Sequence, residues 1–273
     1  MKNYRPVSNL PFLSKIIEKT VVTQLDSHMS QNNLYPCHQS AYRKNHSTET
    51  ALVKIVNDLL CAIDSRQCTF LVMLDQSAAF DTVNQDLLLN RLRSTCGIVN
   101  DANEWLASYF KNRYQSVCIQ NVSSGPRELL TGFPQGSVLG PFMYPVYTSP
   151  LFSIAEKYDL SIHMYADDTQ VYLSFNQCEQ NTALEKIERC ISEIRQWMHD
   201  NHLKLNDSKT EFMIVGSKHM LRQCDNISCM QIGDSSIHSS DKAKNIGVII
   251  DENLTFVNHV NSLCRTCYMH LNK

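Results

Sequence analysis

An apolar run that ends in a carboxylate is the feature that most constrains the fold of this chain. Residues 69–74 (TFLVML) are almost wholly apolar and rich in strand formers, and Asp75 follows them directly. A run of this kind, without alternating polar positions, is typical of a strand that is buried on both faces. The sequence therefore predicts a central strand that delivers Asp75 to one end of a sheet.

A second acidic feature lies downstream, where Asp167 and Asp168 are adjacent. Residues 161–164 read as a short strand and residues 169–175 alternate polar and apolar, so the pair is predicted at a hairpin tip. A solvated acidic turn would explain the dipeptide alone. Together with Asp75, the pair favours a site for two divalent ions about 3.5–4 Å apart, as used for phosphoryl transfer. Mg²⁺ suits such oxygen ligands best, with Mn²⁺ as an alternative.

Three segments around these acids and a glycine-rich turn resemble successive core motifs of reverse transcriptases. They are LDQSAAFD at 74–81, GFPQGS at 132–137 and YADD at 165–168. Four more blocks resemble LINE-type, non-LTR retrotransposon enzymes of the jockey-like group: YRP at 4–6, QSAYRK at 39–44, HSTETAL at 46–52 and LKLNDSKTE at 203–211. The resemblance covers nearly the whole chain and implies an RNA-directed DNA polymerase, that is, a nucleotidyltransferase.

The resemblance also implies the catalytic residues. Asp75, Asp167 and Asp168 would hold two Mg²⁺ ions, the arrangement that serves in-line nucleotidyl transfer. Lys209 matches a lysine that is thought to approach the leaving pyrophosphate as a general acid.

Four further residues match positions near the nucleotide or the template. Arg43 would contact the triphosphate, which a planar guanidinium suits, and Arg5 matches another basic position near the template or the nucleotide. Gln135 would contact the incoming nucleotide or a template base. Phe80, five residues after Asp75, would lie beneath the deoxyribose and exclude a 2′-hydroxyl; a plain core aromatic is the alternative reading of this residue.

The predicted fold is α+β, a right-hand polymerase fold with helical fingers, an antiparallel-sheet palm and most of the thumb absent. An endonuclease that such polyproteins normally carry is also expected to be missing. Within one reverse transcriptase domain, the expected parts are the fingers at about 1–68 and 84–131, the palm at about 69–83 and 132–258, and the start of the thumb at 259–273.

Local patterns predict several element boundaries. Ser47 or Thr48 is expected to cap the second of two helices before residue 66, and Asn84 to cap a third helix. Thr182 and Glu185 have capping-box spacing, which predicts a helix that starts at Thr182. Residues 114–120 alternate as a strand does.

Bulk composition is that of a globular protein, with 43% hydrophobic and 19% charged residues. A net charge of −2 is unusual for a nucleic-acid polymerase, which commonly carries a basic face. Eleven scattered cysteines indicate reduced thiols and an intracellular protein, located in the cytoplasm or nucleus by the family's cycle. No stretch approaches ~18 apolar residues, so no membrane association is predicted, and the oligomeric state stays open.

The predicted reaction adds deoxynucleoside triphosphates to the 3′-hydroxyl of a DNA primer on an RNA template. One alternative is a truncated retroelement relic that folds but at most binds nucleic acid or nucleotide, which the net charge and the expected missing thumb favour. A two-metal nuclease gives no role to Gln135 or Phe80. A polymerase that makes RNA is disfavoured because a bulky Phe80 would obstruct ribonucleotides.

Overall fold

The computed structural model describes residues 8–77, 79–120, 122–224, 227–233 and 235–271. Its helices are α1 Phe12–Gln31, α2 Thr48–Asp64, α3 Gln85–Cys96, α4 Asn100–Phe110, α5 Leu139–Thr148, α6 Pro150–Lys157, α7 Gln180–Asp200, α8 Lys218–Leu221 and α9 Val257–Leu271. Its strands are β1 Cys68–Leu74, β2 Gln76–Ser77, β3 Tyr114–Gln115, β4 Cys118–Ile119, β5 Val122–Ser123, β6 Arg127–Glu128, β7 Ser161–Tyr165, β8 Asp168–Phe175, β9 Lys204–Leu205, β10 Glu211–Val215, β11 Cys229–Ile232, β12 Ser235–His238, β13 Lys242–Asn245 and β14 Val248–Asp251.

The chain divides into two compact units. The first comprises the described residues of Met1–Cys37, Ala78–Pro150 and Met198–Lys204, and the second those of His38–Ser77, Leu151–Trp197 and Leu205–Lys273. These units follow from packing alone, so the expected boundaries of fingers, palm and thumb stay a prediction.

The second unit contains a four-stranded antiparallel sheet in the order β10-β1-β8-β7. Strand β1 is central, and all seven of its residues are buried, as the apolar run predicted. The hairpin of β7 and β8 is also confirmed, since Tyr165 pairs with Asp168. Because side chains alternate along a strand, β1 supplies apolar residues to both faces of the sheet.

Each face of the sheet has its own apolar contacts. On one face, residues of α2 and of the β13–β14 hairpin pack with the sheet residues Leu71, Met73 and Met213 in a single buried cluster. On the other face, the Phe70 ring stacks on Phe175 with centroids 4.1 Å apart. Full burial of one such side chain contributes about 1.5–3 kcal/mol, so these contacts fix the orientation of β1.

Helix α2 begins as the sequence predicts. The Ser47 hydroxyl accepts a hydrogen bond from the backbone N–H of Thr50, and the Thr50 side chain accepts one from the backbone N–H of Ser47. Of the two predicted candidates, Ser47 is therefore the cap. This reciprocal pair satisfies donors that the first helical turn would otherwise leave without partners.

The first unit is mainly helical. Helix α3 packs against α4 and α5, and α1 packs against α5. Asn84 caps α3 as predicted, because its side-chain oxygen accepts a 2.9 Å hydrogen bond from the backbone N–H of Leu87. Nine of the ten residues of α5 are buried, which makes this helix the centre of the unit.

Two predicted boundaries are wrong. Helix α7 begins at Gln180 rather than Thr182, because the capping box is formed earlier by Asn176 and Glu179 around a short 3₁₀ turn. Residues 114–120 do not form one strand but contribute to two separate two-residue ladders, β3 with β6 and β4 with β5. All residues of these strands are exposed. Without a buried face, little holds a longer ladder in register.

Within the described ranges, no helix combines the length and the apolar character needed to cross a lipid bilayer.

Candidate active site

The structure places the three predicted acidic residues at one end of the sheet. Asp75 follows β1, Asp168 begins β8, and Asp167 lies in the turn between β7 and β8. Leu74 pairs with Thr169 in antiparallel register, so one step further along the two strands Asp75 faces Asp168. Side chains at directly opposite positions are close neighbours, and like charges there repel.

The turn that carries Asp167 is tight and strained. Ala166 precedes it with φ of 58°, a left-handed conformation that costs a non-glycine residue roughly 1–2 kcal/mol. Two-residue hairpin loops need a positive φ at the first loop position to match the twist of their strands. The sheet therefore holds Ala166 in this conformation, and the conformation fixes the direction of the next residue, Asp167.

Charge crowding at this end of the sheet appears in the pKa of Asp168. Burial, then the charge of Asp167 and then that of Asp75 raise its pKa to about 6, while Lys209 opposes the rise. Measured by its surface area, Asp168 is nevertheless exposed to solvent. A carboxyl that is crowded by two others gains from a nearby cation, because each neighbour destabilises its ionised form.

Lys209 provides a positive charge beside the acids. Its Nζ lies 3.3 Å from Oδ2 of Asp75. Its loop is attached to the same strand end, since the backbone N–H of Asn206 donates to the carbonyl of Asp75 at 2.9 Å. Asp207, in the same loop, accepts two hydrogen bonds from the Arg195 guanidinium on α7, at 2.7 and 2.9 Å. The loop therefore holds the ammonium of Lys209 at the acidic end of the sheet.

The donor set fits a hard divalent cation. All three side chains offer carboxylate oxygens, the ligands that Mg²⁺ and Mn²⁺ prefer. Oδ2 of Asp75 is buried, and apart from the 3.3 Å ion-pair contact with Lys209 it has no hydrogen-bond partner among the described residues. Among those residues no three acidic, histidine or cysteine side chains converge closely enough to coordinate one ion. The metal-binding role of Asp75, Asp167 and Asp168 thus stays a prediction.

A strap formed by residues 38–43 runs beside β7 towards the acidic turn. The backbone N–H of Ser40 donates to the carbonyl of Met164 at 3.0 Å, and the N–H of Met164 donates to the carbonyl of His38 at 2.9 Å. A single parallel bridge joins Gln39 to Met164, and the chain turns after Ser40. Arg43 follows this turn and is half-buried, and its contact with the nucleotide stays a prediction.

Tyr42 is a residue of this site that the sequence reasoning missed. It is half exposed, has φ of 58°, and its pKa is raised by burial, then by Asp167 and then by Tyr165. Its position directly before Arg43, inside a block that resembles the family, was the available signal.

In the first unit, Phe80 and Gln135 lie on two segments that are hydrogen-bonded together. The backbone N–H of Phe133 donates to the carbonyl of Phe80 at 3.1 Å, and that of Gly132 donates to the carbonyl of Val83 at 2.8 Å. The Phe80 ring packs on Tyr144 with centroids 4.6 Å apart, and it is not fully buried. Its ring therefore has a fixed support while part of it stays accessible.

Gln135 has a side-chain partner that the sequence reasoning also missed. Its Nε2 lies 3.3 and 3.4 Å from the two carboxylate oxygens of Asp81. The backbone carbonyl of Gln135 accepts a 2.9 Å hydrogen bond from the backbone N–H of Ser8. Asp81 directly follows Phe80 at the end of the LDQSAAFD segment, and this position was the available sequence signal. The eighth predicted site residue, Arg5, lies outside the described residues.

The reverse transcriptase family, described as "Reverse transcriptase (RNA-dependent DNA polymerase)", matches residues 1–250. The chain therefore belongs to the reverse transcriptase family.

Curated relatives agree with this assignment. The chain is 28% identical over 281 residues to the probable RNA-directed DNA polymerase from transposon BS of Drosophila melanogaster, covering 99% of this chain and 30% of that protein. It is 28% identical over 267 residues to the RNA-directed DNA polymerase from mobile element jockey of Drosophila funebris, covering 96% and 28% respectively. The chain thus spans less than a third of the length of these relatives, and the resemblance to jockey-like enzymes is confirmed.

Solved structures show the same fold. Telomerase from Candida tropicalis, in complex with the TWJ fragment of telomeric RNA, matches with a TM-score of 0.60 at 14% identity, covering 90% of this chain and 37% of that chain. Apo telomerase from the same organism matches with a TM-score of 0.58 at 14% identity, covering 89% and 40%. This likeness concerns the fold alone, and it confirms the predicted α+β polymerase fold.

Proposed function

We propose that this chain is the core of an RNA-directed DNA polymerase that adds deoxynucleoside triphosphates to a primer 3′-hydroxyl on an RNA template. The observation that carries the proposal is the position of Asp75 opposite Asp168, with Asp167 in the adjoining turn, in a member of the reverse transcriptase family. Its natural partners would be an RNA template and a DNA primer, in the cytoplasm or nucleus. The relatives' names support an origin in a non-LTR mobile element.

Asp75, Asp167 and Asp168 would hold two Mg²⁺ ions, for which Mn²⁺ could substitute. When bound, such ions activate the hydroxyl and neutralise the triphosphate and the leaving group. The carboxylates bind best when ionised, so the raised pKa of Asp168 makes the site sensitive to pH. Lys209 would hold a proton near the departing pyrophosphate, and its 3.3 Å contact with Asp75 supports this role.

Four residues would select and orient the nucleotide. Arg43 would bind the triphosphate through its guanidinium, and Arg5 would lie near the template or the nucleotide. Phe80 would exclude a 2′-hydroxyl by steric contact, supported from behind by Tyr144. Gln135 would contact the nucleotide or a template base, and its contact with Asp81 would fix the orientation of its amide.

Extension of oligo-dT on poly-rA with dTTP and Mg²⁺ tests the proposal. We expect extension that requires the template, stops when the metal is chelated and is weak when UTP replaces dTTP. A chain that binds Mn²⁺ and dTTP but does not extend the primer would instead be a catalytically inactive relic. Degradation of the template or primer without extension would indicate a nuclease.

A further inference from the structure

A buried carboxylate in the first unit has no role in the proposed chemistry. Glu18 lies on α1, and only 1% of its surface is exposed. Buried carboxylates are normally neutralised by a cation, because removal of a charge from water is costly. Among the described residues, no Lys, Arg or His forms an ion pair with Glu18.

Backbone amides bind this carboxylate instead. Oε2 of Glu18 accepts hydrogen bonds from the backbone N–H groups of Val138, at 2.6 Å, and Leu139, at 3.3 Å. Oε1 accepts a 3.0 Å hydrogen bond from the Ser14 hydroxyl. The two amides begin helix α5, whose cap residue Val138 has no side-chain oxygen. A helix amino terminus carries partial positive charge, so Glu18 stabilises α5 from a different helix.

Helix α5 and the turn that carries Gln135 are joined by short hydrogen bonds and close packing. The backbone N–H of Ser137 donates to the carbonyl of Pro134 at 2.9 Å, and the Ser137 hydroxyl accepts from the N–H of Gly140 at 3.1 Å. A Cβ atom at Gly140 would lie 2.7 Å from the Ser137 hydroxyl oxygen and 2.9 Å from Cβ of Phe133. Because the turn packs this closely on the helix, a shift of the helix amino terminus would move the turn.

We propose that Glu18 is a positioning residue that fixes the turn of Gln135 by capping α5 from α1. The carboxylate does not touch the substrate; it acts through Val138 and Leu139 on the backbone that presents Gln135. This inference rests on the proposed function, in which Gln135 contacts the nucleotide or the template. The cap itself, the hydrogen bonds from Val138 and Leu139 to Glu18, can be tested without any activity measurement.

Glu18→Gln is the informative variant, because it keeps the size of the side chain and removes the charge. Hydrogen exchange of the Val138 and Leu139 amides should become about tenfold faster, the scale expected for loss of a charge-assisted hydrogen bond. Ser14→Ala is the matched control, since it removes only the hydroxyl bond to Oε1 and should leave both amides protected. Unchanged exchange in Glu18→Gln would overturn the cap.

Kinetics on poly-rA then test the positioning. Glu18→Gln should raise the KM for dTTP by about fivefold to tenfold, the scale of exchanging a charged hydrogen bond for a neutral one, with a smaller change in kcat. In a Gln135→Ala background the same substitution should have almost no further effect, because residues that act through one another are not additive. Additive effects would overturn the positioning role. Absence of extension by the wild-type chain would contradict the proposed function, while hydrogen exchange would still decide the cap.

Discussion

The ammonium of Lys209 lies 3.3 Å from Oδ2 of Asp75, and both belong to segments joined by the hydrogen bond from Asn206 to the Asp75 carbonyl. The loop thus holds an ammonium group beside the carboxylate of Asp75. Lys209 is distant from the three aspartates in the sequence but lies beside Asp75 in space. The positive charge of Lys209 and the negative charges of the aspartates can therefore be removed by separate substitutions.

Replacement of Lys209 by Gln should slow nucleotide incorporation by about 100-fold or more, the scale at which a general acid contributes. The KM for dTTP should change less than kcat, because the proton is needed mainly in the transition state. Single-turnover incorporation measures this effect. Lys186→Gln is a suitable control, since Lys186 also pairs with an aspartate, at 3.1 Å, but that partner, Asp159, is not one of the three clustered acids. Equal rates for the two variants would contradict a catalytic role for Lys209.

Phe80→Val should admit ribonucleotides. If Phe80 lies beneath the sugar as we propose, loss of its ring would leave room for a 2′-hydroxyl, and the ratio of kcat/KM for dTTP to that for UTP should fall by at least about tenfold. Competition between the two nucleotides on poly-rA gives this ratio directly. Phe12→Val, at a position that is 76% exposed on α1, is the control and should keep the wild-type ratio. An unchanged ratio in Phe80→Val would return Phe80 to the role of a core aromatic.

Gly132→Ala should destabilise the turn strongly. Gly132 has φ of 74°, and a Cβ atom there would lie 2.6 Å from the carbonyl oxygen of Asp81. Gly97 has a similar φ of 67° but nothing within 4 Å of its Cβ position. The Gly97→Ala control therefore measures the conformational cost alone, about 1 kcal/mol, and Gly132→Ala should cost about 1–3 kcal/mol more through overpacking. Urea unfolding of both variants tests this; equal costs would mean that the close approach to Asp81 is absent.

His163 makes stability depend on pH. Burial, then the positive charges of His38 and Lys54, lower its pKa to about 4, with Asp58 opposing and His46 adding to the effect. Its Nε2 lies 3.0 Å from the Ser40 hydroxyl, which holds the strap of residues 38–43 against β7. The unfolded chain, with a histidine pKa of about 6.5, binds the proton more readily.

Stability from His163 is therefore present above pH 6.5 and is lost as the pH falls towards 4. At pH 5 the expected loss is about 2 kcal/mol by linkage. Urea unfolding at pH 7 and pH 5 measures it, and His163→Gln should remove most of the difference. The same pH dependence in the variant would assign the effect to another group.

The parts of the structure that were predictable from the sequence depend on local pattern. The unbroken apolar run of β1 and the alternation in β8 predicted the sheet and the position of Asp75 and the hairpin acids. Ser47 and Asn84 were recognisable because a cap acts within three residues. The prediction at Thr182 was wrong because a local pattern can occur without being used. Thr182 and Glu185 have the spacing of a capping box, but Asn176 and Glu179 form the actual one.

Contacts between distant segments left no such pattern. Glu18 reaches amides 120 residues away, and Gln135 finds Asp81 at a separation of 54. Both look like ordinary surface residues of a helix or a turn in the sequence. The strap that brings Tyr42 towards Asp167 depends on a single bridge between Gln39 and Met164, too short for any periodicity to predict.

Primer extension by Asp167→Asn, compared with Asp159→Asn, tests the central claim most directly. Asp159 is an aspartate outside the site, 88% exposed and paired with Lys186, so its replacement should leave activity unchanged. Asp167→Asn keeps the size of the side chain but removes a carboxylate that we assign to the metal ions, and extension of oligo-dT on poly-rA should be abolished. Substantial extension by Asp167→Asn, at a rate near that of Asp159→Asn, would contradict the assignment of this acidic end of the sheet as the polymerase active site.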